Sequence, residues 1–256
     1  MIQSLFDLSG RCALVTGGSR GLGKSMARAF AEAGADVLVT SRHEEELRSG
    51  AQEIGKGLSR KVEWLVNDLS KADGAATLAR EAIARLGKVD ILVNNAGTNL
   101  PQPIDQVTDE AWETMIQLNL TGVMRLTRAL VGPMKERRWG RVIHISSVLG
   151  LGGKEGRNGY CATKSALIGF AQASALDLGP HNVTVNCIAP GPFLTDLPGK
   201  LLSDAQKKHF ADRTAMGRWG KPEEIAGGAL LLATDAGSYI TGSVLLIDGG
   251  CAARML

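Results

Sequence analysis

Aromatic side chains are scarce in this sequence, only 4% of its 256 residues. That leaves little material for stacking on single-stranded bases. Neither sign of charge dominates: 29 basic residues against 26 acidic give a net charge of +3. So mild an excess predicts neither a nucleic-acid surface nor a membrane surface. Apolar runs are short, and none approaches the roughly 18 residues of a membrane-spanning helix. The opening stretch from Met1 to Arg11 lacks a basic start followed by a long apolar run. It does not read as a secretory signal. Cysteine is sparse as well: Cys12, Cys161, Cys187 and Cys251 form no CxxC pair. Scattered cysteines of this kind predict small buried hydrophobes in a reducing, cytoplasmic setting. The histidines, His43, His144, His181 and His209, are dispersed too. No metal site is expected from them.

What is present is a globular composition, 44% hydrophobic and 21% charged. Short β-rich runs cover 12–16, 36–40, 62–66, 89–93, 141–145, 183–188 and 243–247. Most are continuously apolar, which predicts burial on both faces, as in a parallel sheet covered by helices. Helical patterns lie between them, near 22–33, 43–56, 71–86, 109–138, 159–179 and 222–233. In the first, Leu22, Met26, Ala29, Phe30 and Ala33 share one face, and Gly34 is placed to end it. The alternation predicts an α/β fold: a doubly wound sheet of about seven parallel strands with helices on both faces. No linker interrupts it, so 1–256 reads as a single domain. The irregular segment at about 190–219, with a short helical pattern at 203–211, reads as a mobile lid over a ligand.

Glycine is abundant at 32 residues. One cluster, Thr16-Gly-Gly-Ser-Arg-Gly-Leu-Gly-Lys-Ser25, joins the first strand to the first helix. Backbone N–H groups there, with the positive end of the helix, suit a phosphate. Three patterns overlap in it. Gly18-x4-Gly23-Lys24-Ser25 has the phosphate-loop spacing of nucleotide hydrolases, with Asp248 on a later strand as an acidic partner. Gly17-x-Ser19-x-Gly21 has the spacing of a hydrolase nucleophile elbow. Gly17-x3-Gly21-x-Gly23 has that of a dinucleotide loop.

The rest of the chain favours the third. Asn94-Asn-Ala-Gly97 ends the fourth strand and Ser147 follows the fifth. Tyr160-x-x-x-Lys164 lies on the next helix, and Asn119 on the one before. Tyr160 and Lys164, four residues apart, share a helix face. A free phenol with a pKa of about 10 is too weak a base at neutral pH. A nearby ammonium, or another cation at the site, would lower that value. With these residues, with Asp68 after the third strand, with Pro190-Gly191 and Thr195, and with the ending Asp248-Gly-Gly250, the chain resembles the short-chain dehydrogenase/reductase family from about Leu8 to Gly250.

The resemblance implies an oxidoreductase interconverting a secondary alcohol and a ketone. Tyr160 is its acid–base residue, Ser147 the group that polarises the substrate oxygen, and Lys164 the holder of the nicotinamide ribose. Asn119 anchors a water linking the lysine to solvent. The cofactor would meet Gly17, Ser19, Arg20, Gly21, Leu22 and Gly23, then Asp68 and the Leu69 amide at the adenine. Asn95, Ala96 and Gly97 would flank the adenosine. Pro190, Gly191, Phe193 and Thr195 would flank the nicotinamide. After the second strand, Ser41 and Arg42 stand where an acid would grip an NAD ribose. Arg42 and Arg20 suit a 2′-phosphate instead, so NADP(H) is expected over NAD(H).

Asn99, Leu100, 148–154, Asn158 and Phe193 are expected to line the substrate pocket, with Lys154 and Arg157 placed to attract an acid. The sequence therefore points to a small carbonyl or alcohol, a sugar acid or polyol such as gluconate. The alternative is a 3-oxoacyl thioester on acyl carrier protein or coenzyme A, for which the basic stretch 135–141 could be a dock. Relatives of this size imply a homotetramer.

Overall fold

The computed structural model describes residues 1–195 and 203–253. After a short turn of helix, α1 (Ile2–Leu5), strand and helix alternate through β1 (Cys12–Thr16), α2 (Gly21–Glu32), β2 (Asp36–Ser41), α3 (Glu44–Gly55), β3 (Val62–Val66), α4 (Gly74–Leu86) and β4 (Ile91–Asn94). The second half continues through α5 (Asp109–Ile116), α6 (Gly122–Glu136), β5 (Gly140–Ile145), α7 (Asn158–Leu178), β6 (Val183–Pro190), α8 (Asp204–Asp212), α9 (Ala226–Ala233) and β7 (Val244–Ile247). All seven strands run parallel, in the order β3-β2-β1-β4-β5-β6-β7.

The continuous apolar runs have a simple cause. Successive residues of a strand face opposite sides, and here each side is a core. Ala13 and Val15 of β1, Val37 and Val39 of β2 and Ile91 and Val93 of β4 pack with Met26, Phe30, Leu47, Ile54 and Leu232, from α2, α3 and α9. Leu14, Leu38 and Leu92, from the same strands, turn the other way onto Leu78, Leu126, Leu130 and Leu167, from α4, α6 and α7. The winding reverses between β1 and β4, and ligands bind outside the strand carboxyl ends at such a point.

Two predicted helices are broken in the structure. The stretch 109–138 is α5, a π-helical turn at Gln117–Thr121, and then α6. The stretch 222–233 begins as a 3-10 turn, Pro222–Ile225, before α9. Of the expected lid, 196–202 lies outside the described residues. Its helix is α8, opened by a capping box between Ser203 and Gln206. Phe210 of α8 lies edge-on to Trp219 at 5.4 Å, and Lys154 sits 4.1 Å over its ring.

Candidate active site

The site begins where β1 and β4 end side by side. The Thr16 hydroxyl accepts the Asn95 and Ala96 amides at 2.9 and 3.0 Å. The Asn95 side chain donates to the Thr16 and Gly17 carbonyls at 2.8 and 3.0 Å. These bonds hold the glycine loop against the end of β4. Gly17 is left-handed, with φ of +64°, and a Cβ there would lie 2.8 Å from Asn95 Nδ2. A Cβ on Gly23 would run into the Gly17 carbonyl. Any side chain at these two positions would push α2 away from the loop and spoil the phosphate cradle.

One arm of the site runs along the loop to the end of β2. The Ser19 hydroxyl donates to Glu46 Oε2 at 3.1 Å, and Arg20 pairs with Glu46 Oε1 at 3.0 Å. Ser41 Oγ is buried without a partner among the described residues, and Arg42 beside it is exposed. Burial alone would raise the Asp68 carboxyl. The Ser70 hydroxyl and amide, donating at 2.7 and 3.0 Å, and the cations Arg42 and Lys71 bring it below its ordinary value.

The other arm runs to the end of β5. Ser147 caps the turn Val148–Gly150, accepting the Leu149 amide at 3.1 Å. Tyr160 and Lys164 come from the first turns of α7. Burial pushes the Tyr160 phenol above its ordinary value. A hydrogen bond with Ser147 opposes this, Cys161 adds to the rise, and Arg157 lowers it. The Lys164 amine is 4% exposed and donates to the Ile145 carbonyl at 2.6 Å. Burial brings its pKa down to about 8, with Cys187 acting the other way. It lies 5.5 Å from the Tyr160 ring centroid. In this structure burial dominates at the phenol, Ser147 and Arg157 supply the opposing pull, and the Lys164 amine is engaged by Ile145.

Asn119 is fully buried in the π-helical turn. Its Oδ1 accepts the Thr98 amide at 2.8 Å. Its Nδ2 donates to the Thr98 carbonyl at 2.8 Å and to Thr163 Oγ1 at 3.2 Å. It therefore ties the loop after β4 to α7. A Cβ on Gly97 would lie 3.2 Å from Asn119 Oδ1 and 3.6 Å from Lys164 Nζ, so the three residues meet at one point.

Both arms line one cleft of about 580 Å³. Ser147, Tyr160 and Lys164 lie in its wall. So do Gly17, Ser19, Arg20, Gly21, Leu22, Gly23, Ser41, Arg42, Asp68, Leu69, Asn95, Ala96, Gly97, Pro190, Gly191, Phe193 and Thr195. Asn119 stands behind the wall, reaching it through Thr98. Of the expected substrate wall, Asn99 and Phe193 are in the cleft, whereas Asn158 donates to the Gln102 carbonyl. Sequence reasoning missed Glu46 and Asn67, which also line it. Glu46 is one of three consecutive acids in the first turn of α3, and nothing in the sequence tells which of them faces the loop.

The competing motifs find no support in the geometry. Lys24 pairs with Glu53 on α3 at 2.6 Å, and neither Lys24 nor Ser25 lines the cleft. Asp248 accepts the Gly250 and Ala252 amides, closing a turn. Ser19 bonds a carboxylate rather than a histidine. The basic stretch is largely structural. Arg141 is 1% exposed and pairs with Asp235. Arg137 and Arg138 donate to the Val89 and Pro180 carbonyls. Two cysteines, Cys12 and Cys187, are buried as expected, while Cys161 and Cys251 are half-exposed. Among the described residues no three His, Cys, Asp or Glu side chains gather as a metal site. No helix there is long and apolar enough to cross a membrane.

Comparison with known proteins agrees with this geometry. Residues 11–206 match the family model described as short chain dehydrogenase. A 3-oxoacyl-(acyl-carrier-protein) reductase of Chlamydia muridarum is 40% identical over 245 residues, covering 96% of this chain and 98% of that protein. A gluconate 5-dehydrogenase from Burkholderia cenocepacia J2315, solved in complex with NADP and tartrate, superposes with a TM-score of 0.92 at 32% identity, covering 100% of both chains. A 3-oxoacyl-(acyl-carrier-protein) reductase from Agrobacterium tumefaciens C58 with NADP bound gives 0.93 at 32% identity, covering 97% of each.

Proposed function

The chain belongs to the short-chain dehydrogenase family and is an oxidoreductase; from that premise we propose that it interconverts a secondary alcohol and a ketone, with NADP(H) preferred over NAD(H). The observation that carries the reading is the convergence of Ser147, Tyr160 and Lys164 with the glycine loop on one cleft.

The residues present fit the dinucleotide. Gly17 and Gly23 leave a cradle that a Cβ would fill. The buried, unpartnered Ser41 hydroxyl and the exposed Arg42 beside it offer a donor and a cation to a 2′-phosphate. When bound, NADP(H) gives or takes the hydride. The protein handles the proton. Tyr160 gives its phenolic proton to the substrate oxygen during reduction and takes it back during oxidation. Ser147, already bonded to that phenol, donates to the same oxygen and fixes its position. Lys164 holds the ribose and restrains the phenol's proton affinity once its amine turns from Ile145. Asn119 keeps the loop after β4 and α7 in register.

For the substrate we propose a sugar acid or polyol such as gluconate. Arg157 acts on the Tyr160 phenol, and Arg157 and Arg213 both act on Lys154, which sits over Phe210 of α8. That field favours a carboxylate. The neighbour from Burkholderia cenocepacia holds tartrate, a hydroxy acid. The second reading, a 3-oxoacyl thioester reductase, rests on the curated relative at 40% identity. A homotetramer is proposed as well, since Leu176 of α7 is 81% exposed and Trp112 of α5 37%. A monomer by light scattering would contradict that.

The test is absorbance in the reduced-nicotinamide band. NADP⁺ is paired with gluconate and other polyols, and NADPH with diketones and acetoacetyl thioesters. Polyol oxidation supports the first reading and thioester reduction the second. Arg42→Ala should erode the preference for NADP(H), and equal use of both cofactors by the unmodified enzyme would refute that preference.

A further inference from the structure

Ser19 and Arg20 belong to the glycine loop and face the cleft, where the proposed cofactor would bring its phosphates. In this structure one carboxylate holds both: Glu46 Oε2 takes the Ser19 hydroxyl at 3.1 Å, and Oε1 takes the Arg20 guanidinium at 3.0 Å. Glu46 is fixed there by packing. Gly50, one turn further along α3, lies so close to the loop that a Cβ on it would meet the Ser19 carbonyl. Residues four apart share a helix face, so this contact holds Glu46 over Ser19. Glu44 and Glu45 join Glu46 in the first turn of α3. Three acids there cancel much of the attraction that the helix N-terminus would have for an anion. Only Glu46 of the three lines the cleft. Among the described residues the Ser41 hydroxyl has no partner, and Arg42 feels the Asp68 carboxylate only at a distance, without an ion pair.

We propose that Glu46 sets the cofactor preference by competing with the 2′-phosphate for Arg20 and Ser19. The inference rests on the NADP(H) reading above. A phosphate monoester carries close to two negative charges. To reach Arg20 it must displace the Glu46 carboxylate and then remain near it. The 2′-hydroxyl of NAD(H) is neutral and can donate to that same carboxylate. Glu46 therefore opposes one cofactor and tolerates the other. It holds the discrimination below what Arg20, Ser41 and Arg42 would otherwise reach. It is a specificity residue and takes no part in the proton or hydride step.

The experiment uses the full chain and Glu46→Gln, which keeps the size and the hydrogen-bonding capacity and removes the charge. Calorimetry measures 2′,5′-ADP against ADP, and NADPH against NADH. In the variant the preference for 2′,5′-ADP over ADP should rise at least about threefold, the scale set by release of a half-exposed ion pair. ADP and NADH should stay within about twofold. Adding Arg20→Ala should cancel the gain. An unchanged or reduced preference in Glu46→Gln overturns the proposal and makes Glu46 a mere support for Arg20. If the unmodified protein binds 2′,5′-ADP and ADP alike but Glu46→Gln prefers the phosphate, the NADP(H) preference fails while this inference stands. If neither protein discriminates, both fall.

Discussion

Asp90 and Ser41 stand at opposite ends of the same sheet, and both side chains are deeply placed. Asp90, just before β4, accepts the Cys12 amide at 3.1 Å and pairs with Lys88 at 2.9 Å and Arg137 at 3.5 Å. The Ser41 hydroxyl, at the end of β2, has no partner among the described residues. The contrast extends to the cations. At the base Arg141 is buried against the Thr234 and Gly140 carbonyls and Asp235, and it shares the Trp139 ring with Arg11. At the top Arg42 is exposed. A buried polar group without a partner weakens the fold. Among the described residues such groups lie mostly towards the strand carboxyl ends, at Ser41, Asn67, Asn94 and His144, with Thr184 at the base of β6 the exception. Around Asp90 and Arg141 the protein supplies the partners itself. On the proposed function, polar residues at the base serve mainly stability, and those at the top serve chemistry.

That division can be broken by substitution. Tyr160→Phe apart, the largest effect is expected from Lys164→Met at the top, which should lower kcat/KM at least about 100-fold. Unfolding in urea should show no comparable loss, since the substitution also removes a buried amine held down to about 8 by burial. Next comes Asp90→Asn at the base. It should cost about 2 kcal/mol in urea unfolding, because Lys88 and Arg137, each about a third exposed, lose the buried carboxylate they pair with. Turnover of the folded protein should not change. A large loss of turnover in Asp90→Asn would break the comparison.

His144 of β5 sharpens it, because it is a buried polar group level with Asn94, the last residue of β4. Asn94 Nδ2 lies 3.1 Å from its Nδ1. With Asn94 donating, the ring proton sits on Nε2, which has no partner among the described residues. Burial, with Lys164 nearby, takes its pKa from 6.5 to about 3. The folded protein keeps the ring neutral through that window, while the unfolded chain protonates it. The unfolded state then binds the extra proton, so stability falls as pH drops from 6.5 towards 3, by up to about 1.4 kcal/mol per pH unit. Above 6.5 the contribution is constant. His144→Phe keeps the stack on Phe170 and should flatten this slope in urea titrations run from pH 7 to pH 4. The smallest effect is expected from Lys24→Ala. Its exposed pair with Glu53 should be worth under about 0.5 kcal/mol, and NADPH turnover should be unaffected. Lost activity there would revive the phosphate-loop reading.

The strands were legible because burial on two faces leaves a continuous apolar signature, and β1 and β3 match their predicted limits. The glycine loop by itself was legible only as a phosphate cradle, since three motifs fit the same residues. Asn94–Gly97, Ser147 and Tyr160-x-x-x-Lys164 elsewhere in the sequence favoured the dinucleotide reading, and the partners of Lys24, Ser19 and Asp248 agree with it. The break at Asn119 was hidden for a related reason. Local sequence there is helical, and the π turn coincides with bonds to Thr98, which is distant in sequence. The Arg20–Glu46 pair spans 26 positions and depends on the rotation of α3, which a run of three acids does not disclose. Elements follow from local pattern; polar partnerships do not.

The most direct test of the central claim, that the carboxyl ends of the strands hold a dinucleotide cleft whose acid–base group is Tyr160, is Tyr160→Phe. NADPH binding is followed by fluorescence and reduction of the best carbonyl substrate by absorbance, on the same preparation. The account predicts NADPH affinity within about threefold of the unmodified protein and a loss of turnover of about 1,000-fold, since the phenyl ring fills the same space without a proton to give. Turnover that survives the substitution would contradict it.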